Sequence, residues 1–331
     1  MQVDTLTNNS GVPLSIAVWL AHDNYDYIDD PNYISVTTLI KSPRQIILGR
    51  RIGIVEQPAP DVAGRMAGAI GSSIHGSIED AWYNHHKECL AKLGYPEKII
   101  DRIKINPEPS ELIPGIIPIY MEKRVERTVG SFTIGGKYDF IGDGQLEDFK
   151  TTGVYSYMSG SNDWKYKLQG SLYRWLNPEI VTGSHLSIQF IFTDWSKKDS
   201  IIQAAKGYPA TKIFQHKIPL ISVPETQVWV EEKIRLLESL EDTPECDLPL
   251  CEANDLWQDE PTYKYYKNPA KKTRSTANFT TSAEATIRWI EDGRCGEVVT
   301  VPGTCKGCLY CDAFHQCTQK DSLIAAGSLK V

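Results

Sequence analysis

At 331 residues the chain can bury a large core and form one major domain with a smaller one appended. Its 41% hydrophobic and 23% charged content is that of an ordinary soluble protein, and no run of about 18 apolar residues offers a membrane span. The net charge of -7, from 35 basic and 42 acidic residues, counts mildly against a nucleic-acid partner, though an acidic metal centre beside a local basic groove fits the same balance.

Residues 1 to 35 are polar and mixed, and the stretch 23 to 31 reads as loop or peripheral cap. The first ten residues have neither the basic start nor the apolar core of a signal peptide. A cytoplasmic, reducing setting is therefore expected, with the eight Cys as thiols, metal ligands or core residues rather than disulfides. From Ser35 to Arg51 short helices are expected, interrupted at Pro43, with Arg50 and Arg51 forming a solvated basic end. A break at Pro58 to Asp61 precedes a long helix over Val62–Leu93, where Met66, Ile70, Ile74, Ile78 and Trp82 recur every fourth residue. His75 and Glu79 share one face of that helix; by themselves they read as a surface polar pair.

The Pro-rich stretch 94 to 120 has room for one edge strand, within Glu97–Ile105. Tyr120–Val129 alternates as a single strand, with Glu122 on the face of Arg124 and Glu126. Next comes a hairpin, Phe132–Ile141 and Leu146–Lys150, around the turn Gly142-Asp143-Gly144. It is read with Asp148 and Lys150 on one face, Phe149 and Leu146 on the other, and Asp139 on the neighbouring strand. Two carboxylates and an ammonium converging there make a divalent-metal site with a built-in charge partner, the equipment of phosphodiester hydrolysis.

A Gly/Ser loop follows, 153 to 162, exposing Tyr155, Tyr157 and Met158. Asp163–Leu176 is helical, with Leu168, Leu172 and Trp175/Leu176 inward, Gln169 and Tyr173 one turn apart, and Pro178 as the stop. Strands are expected over Leu186–Trp195 and, as an edge strand because of Pro219, Lys212–Ile221; between them Lys197, Lys198, Lys206 and Lys212 make the least acidic region. An amphipathic helix covers Glu225–Leu240. The order is α/β without regular strand–helix alternation, and no Gly-rich phosphate loop follows a strand, which argues against a nucleotide-binding doubly wound domain.

Pro244–Lys272 is polar and aromatic with little obvious core, and Thr281–Asp292 is a helix. A short strand at Val298–Val301 leads into Cys305, Cys308, Cys311 and Cys317, four thiols in thirteen residues. Cys-x2-Cys-x2-Cys resembles the spacing that wraps a [4Fe–4S] cluster. Zinc also accepts four thiolates, usually from two Cys-x2-Cys knuckles. Cys251 is a distant candidate for a fourth ligand and Cys305 a nearer one, with Cys246 and Cys295 weaker. Either metal group would staple the tail rather than catalyse.

Taken together, Gly71-x3-His75-x3-Glu79, Gly136-x2-Asp139, Asp148-x-Lys150, Gln169-x3-Tyr173 and Cys308-x2-Cys311-x5-Cys317 resemble the PD-(D/E)xK nuclease superfamily. The likeness is to its RecB-like branch, with Cas4-like and phage recombination exonucleases, and covers roughly residues 35 to 318. It implies a restriction-endonuclease-like core, a central mixed sheet flanked by helices, with a C-terminal Cys-rich, iron–sulfur-type appendage. Its expected divisions are 1–61 (cap), 62–221 (nuclease core) and 222–331 (helical region with the thiols).

The activity the resemblance implies is a metal-dependent DNA exonuclease at duplex ends, in phage recombination or repair and in the host cytoplasm if phage-encoded. A structure-specific or single-strand endonuclease is the alternative, and a non-catalytic, cluster-stapled DNA-binding subunit is the reading from another class. His75, Asp139, Asp148 and the Phe149 carbonyl would hold Mg²⁺ or Mn²⁺, the imidazole favouring Mn²⁺. Lys150 would position or help deprotonate the attacking water. Gln169 and Tyr173 would contact the DNA end or orient the lysine, and Glu79 would brace His75, bind a second metal or solvate the helix. Cys251, Cys308, Cys311 and Cys317 would hold the [4Fe–4S] cluster; no Cys precedes the His helix, as iron–sulfur members of the group have. Partners would be linear duplex ends or single strands of DNA and a single-strand annealing or recombinase protein, with no membrane and no stated oligomer.

Overall fold

Residues 5–22, 27–52 and 59–331 are described by a computed structural model. Part of the expected N-terminal loop, 23 to 26, and Pro58 of the expected break lie outside the described residues. The chain divides into two compact units, Met1–Ile40 with Gln57–Arg235, and Lys41–Glu56 with Leu236–Val331. The boundaries therefore differ from those read in the sequence, because the segment 41–56 belongs with the C-terminal third. Among the described residues no helix is long and apolar enough to cross a membrane.

Strands of the first unit are β1 (Tyr33–Ser35), β2 (Ile103–Ile105), β3 (Ile117–Met121), β4 (Arg124–Val129), β5 (Phe132–Lys137), β6 (Phe140–Gly142), β7 (Gln145–Thr152), β8 (His185–Phe192) and β9 (Ile213–Pro219). Six of them make a mixed sheet in the order β2-β3-β6-β7-β8-β9, with β2/β3 and β7/β8 parallel. The other three make a second sheet, β1-β5-β4. The architecture is thus mixed α/β, a central mixed sheet with helices against it.

Tyr120–Val129 is not one strand. Its first part is β3 and its second is β4, and they belong to different sheets. Between them Glu122 adopts φ +49°, a left-handed conformation that bends the chain and that non-Gly residues rarely hold. The partner side bends at the same level, at Tyr138-Asp139, between β5 and β6. One long hairpin is therefore broken in the middle, its near half in one sheet and its far half in the other. Across the break, Glu122 N donates to the Tyr138 carbonyl at 3.1 Å. Asp139 accordingly lies at the kink rather than on a strand.

The Gly-Asp-Gly turn behaves as its residues require: Asp143 and Gly144 both have positive φ (47° and 80°), which suits the two-residue link between β6 and β7. Leu146, however, is two residues before Asp148 and so falls on the same face of β7 as Asp148 and Lys150, where it is buried. Only Phe149 of the expected pair points the other way.

Two helices position the site. Met66–Lys92 confirms the long periodic helix, and its Trp82, like Phe149, packs against the buried cluster of Ile119, Met121 and Phe140. Asp163–Leu176 buries Leu168, Leu172 and Trp175, each apolar side chain contributing about 1.5–3 kcal/mol by leaving water. Gly170 allows this helix close to the sheet, since a Cβ there would lie 2.8 Å from Leu220 and 3.0 Å from Leu186. Elsewhere Glu97–Ile105 divides into a helical turn, Glu97–Ile100, and β2. Within the expected N-terminal loop Leu14–Ala21 is helical. The expected Gly/Ser loop contains a short helix, Val154–Met158; Tyr155 is exposed on it, but Tyr157 packs between Phe192 and Phe214.

In the second unit β10 (Thr262–Tyr266) pairs with β11 (Ala277–Phe279) and β12 (Glu297–Val301), with the helix Ser282–Glu291 against them. The polar stretch 244–272 therefore has a core of its own: Leu248, Leu256, Tyr265 and Tyr266 are buried.

Candidate functional site

β6 is short, and its last pairing with β7 is Phe140 with Glu147. Two residues further along β7, side chains take the place of the missing strand. Asp139 Oδ2 accepts from the Phe149 amide at 2.8 Å, and His75 Nε2 donates to the Phe149 carbonyl at 3.0 Å. The other imidazole nitrogen, Nδ1, lies 3.6 Å from Asp139 Oδ1. The His helix, the hairpin kink and the bare edge of β7 thus meet at one backbone position. His75 also sets its ring edge-on to Phe149, 5.7 Å between centroids.

A second carboxylate joins them. One ligand atom each from His75, Glu122 and Asp139 lie within 4.8 Å of one another, a mixed nitrogen and oxygen set able to hold a metal ion. Alternation alone puts Glu122 on an ordinary strand face, and the kink is what turns it inward. A signal for it was present: counting outward from the two-residue Gly130-Ser131 turn, with Val129 opposite Phe132, Glu122 is the residue that faces Asp139. Glu122 also pairs with Lys137 at 2.6 Å. Glu79 lies beside these two rather than bracing His75, and its carboxyl is raised from the ordinary range by burial and then by the charge of Glu122.

On the opposite face of β7, Asp148 is 4% exposed and held from both sides. Gln169 Nε2 donates to its Oδ1 at 2.9 Å, and the Lys150 ammonium lies 2.6 Å from Oδ2. Gln169 therefore orients a carboxylate. Burial alone would pull Lys150 down, but Asp148 and its hydrogen bond raise it, so Lys150 is an ammonium at neutral pH. Its charge also sits over the Tyr166 ring, 5.8 Å from the centroid.

Asp139 is pushed up to about 7, first by burial and then by the nearby charge of Asp148, with His75 acting in the opposite sense. Two carboxylates with one local cation between them cannot both ionise cheaply; a divalent cation removes that cost, so the donor set fits one. Of the expected ligands, His75, Asp139 and the Phe149 carbonyl come together, whereas both Asp148 oxygens face Gln169 and Lys150. Tyr173 does not reach the lysine: it is buried, and its hydroxyl donates to the Lys137 carbonyl at 2.9 Å. Gly136 makes that possible, since a Cβ there would come within 2.9 Å of the Tyr173 ring. Gly71, by contrast, has nothing near the place of a Cβ, and its spacing to His75 has no steric explanation.

Within the second unit, Cys251, Cys308, Cys311 and Cys317 line a single pocket with Arg44, Leu256 and Phe314. Cys305 is not among the lining residues; it is buried, and its amide donates to Ser328 O at 2.7 Å. Burial pushes the Cys251 and Cys308 thiols up to about 11, with further thiols among the lesser causes. Four thiols lining one pocket are a donor set that a four-iron cube and a tetrahedral zinc ion both accept.

No protein-family profile matches the chain, and no curated protein matches it in sequence. Among solved structures it is similar to SSO0001, at 14% identity and a TM-score of 0.41, over 74% of this chain and 98% of that one. It is also similar to a phage-related exonuclease from Haemophilus somnus 129PT, at 15% identity and a TM-score of 0.27, over 63% of this chain and 93% of that one.

Proposed function

We propose that the first unit is a metal-dependent deoxyribonuclease hydrolysing phosphodiester bonds at DNA duplex ends, and that the second carries a [4Fe–4S] cluster on Cys251, Cys308, Cys311 and Cys317. The observation that carries the nuclease reading is the convergence of His75, Glu122 and Asp139 at the Phe149 backbone, one strand position from the Asp148–Lys150 pair.

A divalent cation at such a donor set supplies Lewis acidity toward a phosphate oxygen and a bound water of lowered pKa. The chain supplies the rest. His75, Glu122 and Asp139 would hold the ion, with Asp139 in its ionised form. Gln169 fixes the rotamer of Asp148, and Asp148 fixes the ammonium of Lys150. As a cation, Lys150 is suited to orienting a water and offsetting phosphate charge rather than to removing a proton. Tyr173 and Gly136 keep the β5 end of the kink in place, so their part is structural.

Asp148→Ala should abolish Mn²⁺-dependent release of nucleotides from linear duplex DNA while the circular dichroism of the protein is retained. Unchanged release would remove Asp148 from the site. A non-catalytic DNA-binding protein would bind the same DNA and release nothing.

A further inference from the structure

The helix Pro43–Arg51 brings two side chains to the thiol pocket from a distant part of the sequence; its cap Ser42 lies 209 residues before Cys251. Ser42 Oγ is 3.1 Å from Cys251 Sγ, and Arg44 Nε donates to Cys317 Sγ at 3.2 Å. Arg44 is 1% exposed. Its remaining nitrogens are fixed by the Glu245 and Leu248 carbonyls at 3.2 and 3.1 Å and by the Glu245 carboxylate, so the Nε–H is aimed at sulfur by a rigid frame. A guanidinium stays charged in a protein. Four half-buried thiolates in one pocket would gather negative charge, and donors to their sulfurs stabilise the more negative, reduced state of an iron–sulfur cluster.

We infer that Ser42 and Arg44 are positioning residues for the cluster, which hold Cys251 and Cys317 and raise its one-electron reduction potential while slowing the loss of iron. The inference rests on the iron–sulfur reading of the four thiols. Hydrogen bonds to ligating sulfur act on potential directly, whereas a purely structural crosslink through Glu245, Leu248 and Thr318 would alter stability alone.

The test uses the full chain, purified without oxygen, as wild type, Arg44→Met, Arg44→Lys and Ser42→Ala. Iron and zinc content, the midpoint potential from a redox titration followed by paramagnetic resonance, and the rate of iron loss to a chelator are measured. Wild type should hold iron. Arg44→Met should show a lower potential and about tenfold faster iron loss. Arg44→Lys, which keeps the charge without the planar fork, should fall between, and Ser42→Ala should lower the potential by a smaller amount. Wild-type potential and iron retention in a folded Arg44→Met overturn the inference and leave the cluster standing. Should that variant not fold, unchanged potentials in both Arg44→Lys and Ser42→Ala overturn it. Zinc without iron in the wild type overturns the reading beneath it.

Discussion

Asp139→Asn isolates the electrostatic cost of the site. Asp139 ionises near 3.8 in an unfolded chain and near 7 in the folded one, because burial and then the Asp148 charge oppose its anion. The folded state therefore holds a proton that the unfolded state has lost. Stability from this group is complete below about pH 3.8 and is lost as pH rises to about 7, beyond which the loss is constant. The interval sets a ceiling of about 4 kcal/mol, of which about 2–3 kcal/mol falls between pH 5 and pH 8. Asparagine keeps an oxygen for the Phe149 amide and cannot ionise. In urea unfolding with a chelator present, the wild type should lose stability from pH 5 to pH 8 relative to Asp139→Asn by that amount. Added Mn²⁺ at pH 8 should then restore the wild type, by mass action on the folded state, and leave the variant where it was. Parallel pH curves for the two proteins would refute the reasoning.

Lys150→Met should reduce the metal-dependent cleavage rate at least about 100-fold. It should also destabilise the fold by about 1–3 kcal/mol, less than the about 3–5 kcal/mol of a fully buried broken pair because the Lys150 side chain is 29% exposed; retained cleavage would make the pair structural. Glu122→Gln should weaken Mn²⁺ binding about tenfold in calorimetry, and an unchanged affinity would take Glu122 out of the ion's surroundings. Tyr173→Phe should cost about 1 kcal/mol through the lost bond to Lys137 and leave the cleavage rate within about twofold. A large rate loss on an intact fold would instead give Tyr173 a direct part in the reaction.

What the sequence made legible was local. Fourfold periodicity from Met66 to Trp82 marks the His helix, and Gly142-Asp143-Gly144 marks a turn that needs positive φ, so the helix and the hairpin around it are readable from residue type. Hidden features were those set by tertiary events. Glu122 looks like one member of an alternating strand until the hairpin kinks, and only its register against Asp139 hints otherwise. Leu146 shares a face with Asp148 because two residues separate them on β7, a parity that residue type alone does not display. Arg44, on a short helix far from any cysteine in sequence, carries no local mark of its place at Cys317. The assignment of 41–56 to the C-terminal unit is hidden for the same reason, since packing decides it and periodicity does not.

The central claim, cleavage of DNA from its ends by the His75–Glu122–Asp139 and Asp148–Lys150 centre, is met most directly by one digestion. Linear duplex DNA labelled at the 5′ or the 3′ end, and a covalently closed circle of the same sequence, are incubated with Mn²⁺, with Mg²⁺ and with chelator. Progressive loss from the ends of the linear DNA, dependent on the metal, with the circle left intact, is the predicted result. A cut circle would make the enzyme an endonuclease, and intact DNA in every lane would contradict the account.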